Sequence, residues 1–267
     1  MTAVKTSADL RAVKLFLLDM DGTFYLGDRP IERSLEFIDT LRSTGREFLF
    51  LTNNSSKHKG ILAEKLRSMG LVIQDDDVFT SGEATAIYLK GIQPGARLYV
   101  VGTPALEEEF ISHGFILDDQ DPEYVVLGFD TTLTYAKLWK LCDFVREGRP
   151  YLATHPDFNC PIEGGWMPDI GGMIAFVKAC TGVEPLVIGK PHAAIVNALT
   201  IKTSMDRSCM AMVGDRLYTD IRLGTNAGIL SILVMSGETT EEDLLVSEIR
   251  PDFVFENLGG IADALLS

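Results

Sequence analysis

The feature that most restricts the fold of this chain is its alternation of short apolar runs with longer amphipathic stretches. The apolar runs are rich in Val, Ile, Leu and Phe and have the length of buried strands, whereas the amphipathic stretches have helical periodicity. Strands that are apolar on both faces occur in parallel sheets whose two faces are covered by helices. The pattern therefore predicts an α/β fold. We place strands at residues 13–18, 47–52, 97–101, 124–127, 151–154, 186–188, 208–213, 230–234 and 253–255.

Two turn-rich segments, residues 80–82 and 182–185, interrupt this pattern and are candidate hinges. The residues between them carry strand and helix patterns of their own, including apolar side chains at helical spacing around residues 138–145. We therefore predict a first domain formed by residues 1–80 and 186–267. A smaller α/β domain, residues 81–185, is inserted into it.

The charge balance restricts the partners of the chain. Its 267 residues include 24 Lys and Arg against 38 Asp and Glu, a formal net charge of −14. Binding to nucleic acid or to an anionic membrane depends on basic side chains that neutralise phosphate or lipid charge, so the composition argues against both kinds of partner. A local positive site for a small anion stays compatible with it.

Cysteine usage and the chain terminus indicate the compartment. The four cysteines form no Cys-x-x-Cys pair and no zinc-finger spacing, which favours free thiols in a reducing environment. Residues 1–11 are polar and lack the apolar core of a secretory signal. No apolar run approaches the roughly 20 residues that span a bilayer. We expect a soluble, cytoplasmic protein.

The first candidate site follows the apolar run at residues 15–18, which ends in Asp19 and Asp21 with Gly22 and Thr23 after them. Gly22 lets the backbone turn sharply directly after the two carboxylates. Open α/β sheets bind ligands at the carboxyl ends of their strands, so a site is expected here. The alternative is a strand-to-turn cap in which Asp and Gly only satisfy backbone groups.

A second polar cluster follows the apolar run at residues 48–51. Thr52, Asn53 and Asn54 precede a helix and could bind an anion through side-chain donors and free N–H groups at the helix start. The alternative is a plain helix N-cap, a position that these residue types prefer.

The third candidate is Lys190, which lies between a short strand and Pro191, the expected start of the next helix. A lysine in this position could present a fixed positive charge to a phosphoryl group. The segment is not a Walker loop, because Gly182 and Gly189 are too far apart and Pro191 replaces the Ser or Thr that follows the lysine there. A solvated lysine is the alternative.

The fourth candidate site follows the apolar run at residues 210–213, where Gly214 and Asp215 are followed by a second carboxylate, Asp220. Mg²⁺ prefers carboxylate oxygen ligands, so Asp215 beside Asp19 would form a metal site. Asp220 could equally be a helix-start residue that interacts with the helix dipole.

The joint occurrence of these four strand ends, in this order, resembles the phosphatases of the haloacid dehalogenase superfamily. Residues 19–23 match the first motif of that superfamily, residues 52–54 the second, Lys190 the third and residues 214–220 the fourth. The resemblance implies a Rossmann-like parallel-sheet core with an inserted, smaller α/β cap domain. Further segments, GFD at 128–130, THPD at 154–157 and GKP at 189–191, resemble the NagD-like, para-nitrophenylphosphatase-type subfamily.

The resemblance also implies roles for the residues of the four motifs. Asp19 would be the nucleophile that forms an aspartyl-phosphate, and Asp21 the general acid and base. The Asp19 side chain, the Asp21 backbone carbonyl, Asp215 and Asp220 would hold or support Mg²⁺. The phosphoryl oxygens would be bound by the polar residues of the second and third motifs, Thr52, Asn53, Asn54 and Lys190.

In the resembling subfamily the cap closes over the leaving group. Candidate contacts in this chain are His155, Asp157, Asn159, Trp166 and Asp169. Trp166 could stack on a ring, and Asp169 could accept hydrogen bonds from sugar hydroxyls. The alternative is that the tryptophan packs against its own domain. The resemblance also allows a homodimer formed through the cap.

The sequence thus predicts a Mg²⁺-dependent phosphatase that hydrolyses phosphate monoesters of small metabolites, such as nucleoside monophosphates or sugar phosphates, through an aspartyl-phosphate. Two alternatives stay open because a fold does not fix a function. One is a non-catalytic protein that binds phosphorylated metabolites, and the other is a phosphotransferase of the same superfamily.

Overall fold

The structure is a computed structural model that describes residues 5–162 and 164–267. The strands, in chain order, are β1 (Leu15–Leu18), β2 (Tyr25–Leu26), β3 (Arg29–Pro30), β4 (Glu47–Thr52), β5 (Val78–Thr80), β6 (Arg97–Val101), β7 (Ile116–Leu117), β8 (Tyr124–Leu127), β9 (Tyr151–Ala153), β10 (Asn159–Ile162), β11 (Gly165–Pro168), β12 (Leu186–Val187), β13 (Met210–Gly214), β14 (Leu230–Val234) and β15 (Phe253–Phe255).

The helices differ in length, and several are capped by side chains that accept a hydrogen bond from the first turn, such as Thr134 from the N–H of Lys137. They are α1 (Ser7–Arg11), α2 (Ser34–Ser43), α3 (Lys59–Ser68), α4 (Ser81–Ile92), α5 (Pro104–Ser112), α6 (Tyr135–Arg146), α7 (Ile170–Thr181), α8 (Ala194–Thr203), α9 (Arg222–Ala227), α10 (Glu241–Val246) and α11 (Leu258–Leu266). Within the described residues, no helix combines the length and the apolar composition that crossing a membrane requires.

The chain forms two compact units, and the first comprises residues 5–52, 62–79 and 202–267. Its six-stranded sheet has the order β15-β14-β13-β1-β4-β5, and β1 pairs in parallel with both β4 and β13. The strand residues of β1 are all buried, and Phe16 packs edge-on against Phe37 of α2. Because Leu18 is paired with Val213, Asp19 and Asp215 follow neighbouring strands at the same edge of the sheet.

The second unit comprises residues 53–61, 80–162 and 164–201. Its five-stranded sheet has the order β12-β9-β8-β6-β7, with parallel pairing between all neighbours. Helices α6 and α7 pack over this sheet with buried side chains such as Leu141 and Val177. Strands β10 and β11 form an antiparallel hairpin. Since β9 pairs with β12, the segments that follow them, at His155 and at Lys190, also lie at one sheet edge.

The structure confirms the predicted α/β class, and the predicted bounds of β4, β6, β8, β14 and β15 are those observed. The prediction missed β5 (Val78–Thr80), whose last residue we assigned to a hinge, because a three-residue strand has too few positions to show periodicity. It also missed the hairpin of β10 and β11, in which a proline interrupts the strand pattern.

The division into units differs from the predicted domains at two segments. We assigned residues 186–201 to the first domain, but β12 pairs with β9 and so belongs to the sheet of the second unit. Residues 53–61 also pack with the second unit, where the Ser55 and Thr154 hydroxyls are 2.9 Å apart. Sequence periodicity shows that a segment is a strand, but it does not show which strand will be its partner.

Candidate active site

Three of the predicted carboxylates meet in the first unit. One oxygen from each of Asp19, Asp215 and Asp220 lies within 4.8 Å of the others. Asp19 follows β1 and Asp215 follows β13, which are neighbours in the sheet. Asp215 and Asp220 are buried, whereas Asp19 is partly exposed. The structure therefore brings the first and fourth motifs together.

A π-helical turn, Leu217–Ile221, carries Asp220 back towards the end of β13. The N–H of Ile221 donates to the carbonyl of Arg216 at 3.2 Å, a wider turn than that of an α-helix. The Asp220 carboxylate accepts the N–H of Arg216 at 3.3 Å and lies so close to Gly214 that a Cβ there would be 2.2 Å from its Cγ. Asp220 lies in the first turn of this helix, as the alternative of a helix-start role requires, and it also belongs to the acidic cluster.

Asp215 is held in a narrow backbone cradle. Its Oδ2 accepts the N–H of Glu238 at 2.7 Å, and its Oδ1 accepts the hydroxyl of Thr23 at 3.4 Å. A Cβ at Gly22 or Gly237 would lie 2.3 Å or 2.0 Å from Oδ2. Gly22 also has a positive φ of 82°, which L side chains rarely adopt. Glycine is therefore needed at both positions for the carboxylate to fit.

The cluster concentrates negative charge in a buried place. The pKa of Asp215 is raised to about 7. Burial is the largest cause, and the carboxylates of Asp19 and Asp220 raise the pKa further, whereas the Glu238 N–H and Arg216 lower it. Burial would lower the pKa of Arg216, but Asp19, Asp220 and Asp215 raise it, so the guanidinium stays charged. Three carboxylate oxygens at this spacing match the donor set of Mg²⁺, and a bound divalent cation would offset their repulsion. The residues fit the metal.

Asp21 lies beside this cluster on the turn that follows β1, where the N–H of Gly22 donates to the carbonyl of Tyr25 at 2.8 Å. Burial and the charge of Asp19 raise the pKa of Asp21, while Lys65 and Arg216 oppose the shift. A carboxyl group with a raised pKa keeps its proton to higher pH, which suits a proton donor.

The predicted phosphate-binding residues of the second and third motifs meet in the second unit. The Asn53 amide forms two hydrogen bonds with the backbone of Lys190: its Nδ2 donates to the carbonyl at 2.9 Å, and its Oδ1 accepts the N–H at 2.8 Å. Lys190 is only 2% exposed, so the alternative of a solvated lysine is wrong. The Asn53 side chain is not a helix cap either. The predicted helix start at Pro191 was wrong as well, because α8 begins at Ala194.

The other members of the second motif have different surroundings. The Asn54 Oδ1 accepts hydrogen bonds from the N–H and the hydroxyl of Ser56, both at 3.0 Å, so this side chain stabilises the local turn. Thr52 is the last residue of β4 and is partly buried.

Three further predicted residues lie together, of which His155 and Asp169 are buried and Asp157 is partly exposed. His155 Nδ1 is 3.6 Å from Asp157 Oδ2, and its Nε2 is 3.6 Å from Asp169 Oδ1. Asp157 Oδ2 also accepts Asn53 Nδ2 at 3.0 Å. Trp166, by contrast, is 64% exposed on β11, so the alternative that it packs against its own domain is wrong. Asn159 is the first residue of β10 and is also exposed.

Sequence reasoning overlooked Arg216, whose Nε is 3.1 Å from Glu238 Oε2 and whose pKa is raised by the charges of the acidic cluster. Its place in sequence between Asp215 and Asp220 was the available signal. The segment that contributes Gly237 and Glu238 carried no such signal, because its contact with Asp215 is made through backbone atoms.

Replacing Asp169 by Asn is expected to increase the free energy of unfolding at neutral pH, because the folded wild-type protein buries an ionised carboxylate there. Burial raises the pKa of this carboxyl to about 6 from an ordinary value of 3.8, although His155 opposes the shift. The folded state then retains a proton that the unfolded chain releases, so the free energy of unfolding falls as pH rises from about 4 to about 6. A difference of about 2 in pKa corresponds to roughly 3 kcal/mol.

The Asn side chain can still accept the N–H of Ile170, so the cap of α7 is kept. Thermal unfolding at about pH 4.5 and about pH 7.5 checks the prediction, since the advantage of the variant should be larger at the higher pH. Asp143→Asn, an exposed change on α6, is the control. Equal pH dependence in the wild type and Asp169→Asn would contradict the assignment.

Comparison with known proteins agrees with this geometry. Residues 16–116 match the haloacid dehalogenase-like hydrolase family, and residues 187–261 match a HAD-hydrolase-like family. The acid sugar phosphatase of Staphylococcus saprophyticus is 37% identical over 257 residues, which are 96% of this chain and 99% of that protein.

Solved structures with the same fold include the 4-nitrophenylphosphatase of Thermotoga maritima, with a TM-score of 0.93, 49% identity and coverage of 96% of this chain and 99% of that one. The glycerol phosphate phosphatase of Mycobacterium tuberculosis, solved in complex with magnesium, has a TM-score of 0.88 and 30% identity, with coverage of 95% and 77%.

These similarities define the protein as a phosphoric monoester hydrolase. The chain belongs to the haloacid dehalogenase-like hydrolase family. The predicted NagD-like, para-nitrophenylphosphatase-type resemblance is confirmed. The alternative of a non-catalytic binding protein is not supported by these relatives.

Proposed function

We propose that this enzyme hydrolyses phosphate monoesters of small metabolites with Mg²⁺ and through a phosphorylated Asp19. The observation that carries the proposal is the cluster of Asp19, Asp215 and Asp220, whose oxygens lie within 4.8 Å of one another at the end of a parallel sheet. The family membership supports the same chemistry. A cytoplasmic location and a homodimer through the cap stay predictions.

Two steps complete the proposed reaction. A carboxylate oxygen of Asp19 attacks phosphorus, and the bond from phosphorus to the leaving oxygen breaks while the Asp21 carboxyl gives that oxygen its proton. The Asp21 carboxylate then takes a proton from water, whose oxygen attacks phosphorus and breaks the bond to Asp19. The raised pKa of Asp21 supports its role as the acid of the first step.

Asp19, Asp215, Asp220 and the backbone carbonyl of Asp21 would hold or support Mg²⁺. The ion supplies neutralisation of the phosphoryl and carboxylate charge. The protein prepares this arrangement with glycines, because Gly22 and Gly237 leave room for the Asp215 carboxylate that a Cβ would occupy.

Lys190, Asn53, Asn54 and Thr52 are the proposed phosphoryl-binding groups. Lys190 is buried, and a buried ammonium interacts with an anion more strongly than a solvated one does. The Asn53 amide is engaged with the Lys190 backbone, so its own contribution to phosphate binding would come through its backbone N–H. This assignment agrees with the role that the family motif implies.

The relatives guide the choice of substrates. Their names, acid sugar phosphatase, 4-nitrophenylphosphatase and glycerol phosphate phosphatase, indicate small organic phosphates with different leaving groups. Sugar and polyol phosphates are therefore the first substrates to examine. The exposed Trp166 and Asn159 are candidate contacts for the leaving group, whereas His155 and Asp169 are buried.

Phosphate release from 4-nitrophenyl phosphate and from a panel of sugar, polyol and nucleoside monophosphates tests the proposal. With Mg²⁺ we expect turnover, and with EDTA a loss of nearly all of it, because the carboxylate cluster would repel an anionic substrate without a cation. Restoring Mg²⁺ should restore the rate, and Zn²⁺ or Ca²⁺ provide comparisons. Full activity after EDTA treatment would contradict the metal dependence, and phosphate found on an added alcohol rather than released would indicate a phosphotransferase.

A further inference from the structure

A buried imidazole between two carboxylates is the most unusual polar feature of the second unit. His155 is fully buried, and neither of its ring nitrogens makes a hydrogen bond to any residue that the structure describes. Each nitrogen faces a carboxylate oxygen at 3.6 Å, Asp157 on one side and Asp169 on the other. His155 and Asp169 are buried and Asp157 is partly exposed, and burying ionisable groups costs free energy unless they are paired.

Asp157 connects this group to the predicted phosphate-binding lysine. Its Oδ2 accepts the Asn53 Nδ2, and that same amide group donates to the carbonyl of Lys190 while its oxygen accepts the Lys190 N–H. The Asn53 side chain has one amide plane, so the direction of its bond to Asp157 also fixes the direction of its bonds to Lys190.

Close backbone packing makes this chain of contacts rigid. A Cβ at Gly189 would lie 2.5 Å from the carbonyl oxygen of Thr154, 2.7 Å from Asn53 Oδ1 and 2.9 Å from His155 Cβ. The backbone of Gly189 therefore lies against Thr154, the Asn53 amide and the Cβ of His155, with no room for a side chain between them. The ring of Phe129 meets the imidazole edge-on with centroids 6.4 Å apart, which limits its rotation.

The charges around Asp157 favour its ionised form, which accepts the hydrogen bond from Asn53. Although burial alone would raise it, the pKa of Asp157 is lowered by His155, by the Asn53 amide and by the charge of Lys190. Asp157 is therefore held as the anion that accepts from Asn53. Asp169 Oδ1, the oxygen that faces His155 Nε2, also accepts the N–H of Ile170 at 2.6 Å, which fixes its position.

We propose that His155 is a positioning residue for Lys190: it fixes the Asp157 carboxylate, which orients the Asn53 amide and through it the backbone of Lys190. The inference rests on the proposed function, in which Lys190 binds the transferring phosphoryl group. His155 then affects phosphoryl binding without touching the substrate. The contact of Nδ1 with Asp157 carries this role, and the contact of Nε2 with Asp169 holds the imidazole in its orientation.

Two substitutions of His155 test its two contacts separately, because each keeps a donor in the place of one ring nitrogen only. An Asn amide nitrogen is as many bonds from the backbone as His Nδ1, and a Gln amide nitrogen as many as Nε2. His155→Asn therefore keeps a donor towards Asp157, whereas His155→Gln keeps one towards Asp169. We expect His155→Gln to lower kcat/KM for 4-nitrophenyl phosphate about tenfold to a hundredfold more than His155→Asn does, since small misplacements of catalytic groups have effects of that size.

Inhibition by inorganic phosphate provides a second readout that a merely structural role would not change. The inhibition constant should rise for His155→Gln and stay near the wild-type value for His155→Asn. Thermal unfolding of both variants shows whether they are equally folded. Equal kinetic losses in the two variants, or a loss in His155→Gln that is fully explained by its unfolded fraction, would overturn the proposal.

A variant at Asp157 covers the case in which His155→Gln folds poorly. Asp157→Ala removes the oxygen that accepts from Asn53 Nδ2, the next member of the link, so it should reproduce the rise in the phosphate inhibition constant. Where both single variants fold, a double-mutant cycle tests the link itself: if His155 acts through Asp157, the effects of the two changes on kcat/KM should not add in the double variant. Additive effects would overturn the proposal. An inactive wild-type enzyme would instead contradict the proposed function, which keeps the two failures distinguishable.

Discussion

Asp19→Asn is expected to lower the turnover of 4-nitrophenyl phosphate at least about 100-fold, because an amide cannot form the acyl phosphate that the proposed mechanism requires. The substitution keeps the size of the side chain and removes one charge from a crowded group of carboxylates. Asp19 raises the pKa of Asp215, so its neutralisation relieves repulsion in the metal-free protein. The variant should therefore be folded, with a melting temperature in EDTA no lower than that of the wild type.

Asp39→Asn is the matched control for this variant, since Asp39 is exposed on α2 in the same unit and lies outside the cluster. It should keep full activity. Mass spectrometry of the acid-quenched wild type should find a phosphoryl group on the peptide that contains Asp19. Full turnover by Asp19→Asn would refute the covalent mechanism, and a phosphoryl group on a different residue would move the nucleophile.

The acidic cluster could be predicted because its members stand directly after apolar strands. In a parallel sheet the carboxyl ends of neighbouring strands meet at one edge, so Asp19 and Asp215 had to lie close once β1 and β13 were neighbours. The order of the strands was not in the periodicity. The resemblance of the four motifs to a known family instead predicted that Asp19 and Asp215 share a metal site, and their carboxylate oxygens lie within 4.8 Å of each other.

The rest of the site depends on contacts that local sequence patterns do not encode. The π-helical turn that returns Asp220 to the cluster follows from packing against Gly214, and periodicity does not distinguish it from an α-helix. The hydrogen bonds between the Asn53 side-chain amide and the Lys190 backbone join residues that are 137 positions apart. Asparagine at a strand end is more often a cap, and only the folded chain shows that this one is not.

The structure places three of the acidic residues, Asp19, Asp215 and Asp220, in one cluster, and two of them are buried. Burying the carboxylates of Asp215 and Asp220 costs free energy, and the positive charge of Arg216 reduces that cost. A protein with a net charge of −14 attracts a phosphate ester only where it places such positive groups locally. Lys190 is the buried lysine of the second unit that the family motif assigns to this task.

Lys190→Met is therefore expected to lower kcat/KM about 100- to 1,000-fold, the size of effect seen when one group that stabilises a transition-state charge is removed. Methionine has a similar length and fills the buried space with an apolar side chain. The backbone N–H and carbonyl that bind Asn53 are kept. Because the charge of Lys190 also favours the anion of Asp157, its removal should lower the melting temperature, and the melt shows what fraction of the variant is folded at the assay temperature.

Kinetics with 4-nitrophenyl phosphate and a thermal melt of the same preparations check this prediction. Lys178→Met is the control. It makes the same substitution at a lysine of α7 in the second unit whose side chain is 57% exposed. It should leave kcat/KM within about twofold of the wild-type value, because exposed charges interact weakly with distant ligands. If Lys190→Met also stayed within that range while remaining folded, the lysine would have no part in stabilising the phosphoryl group, and its burial would need a purely structural reason.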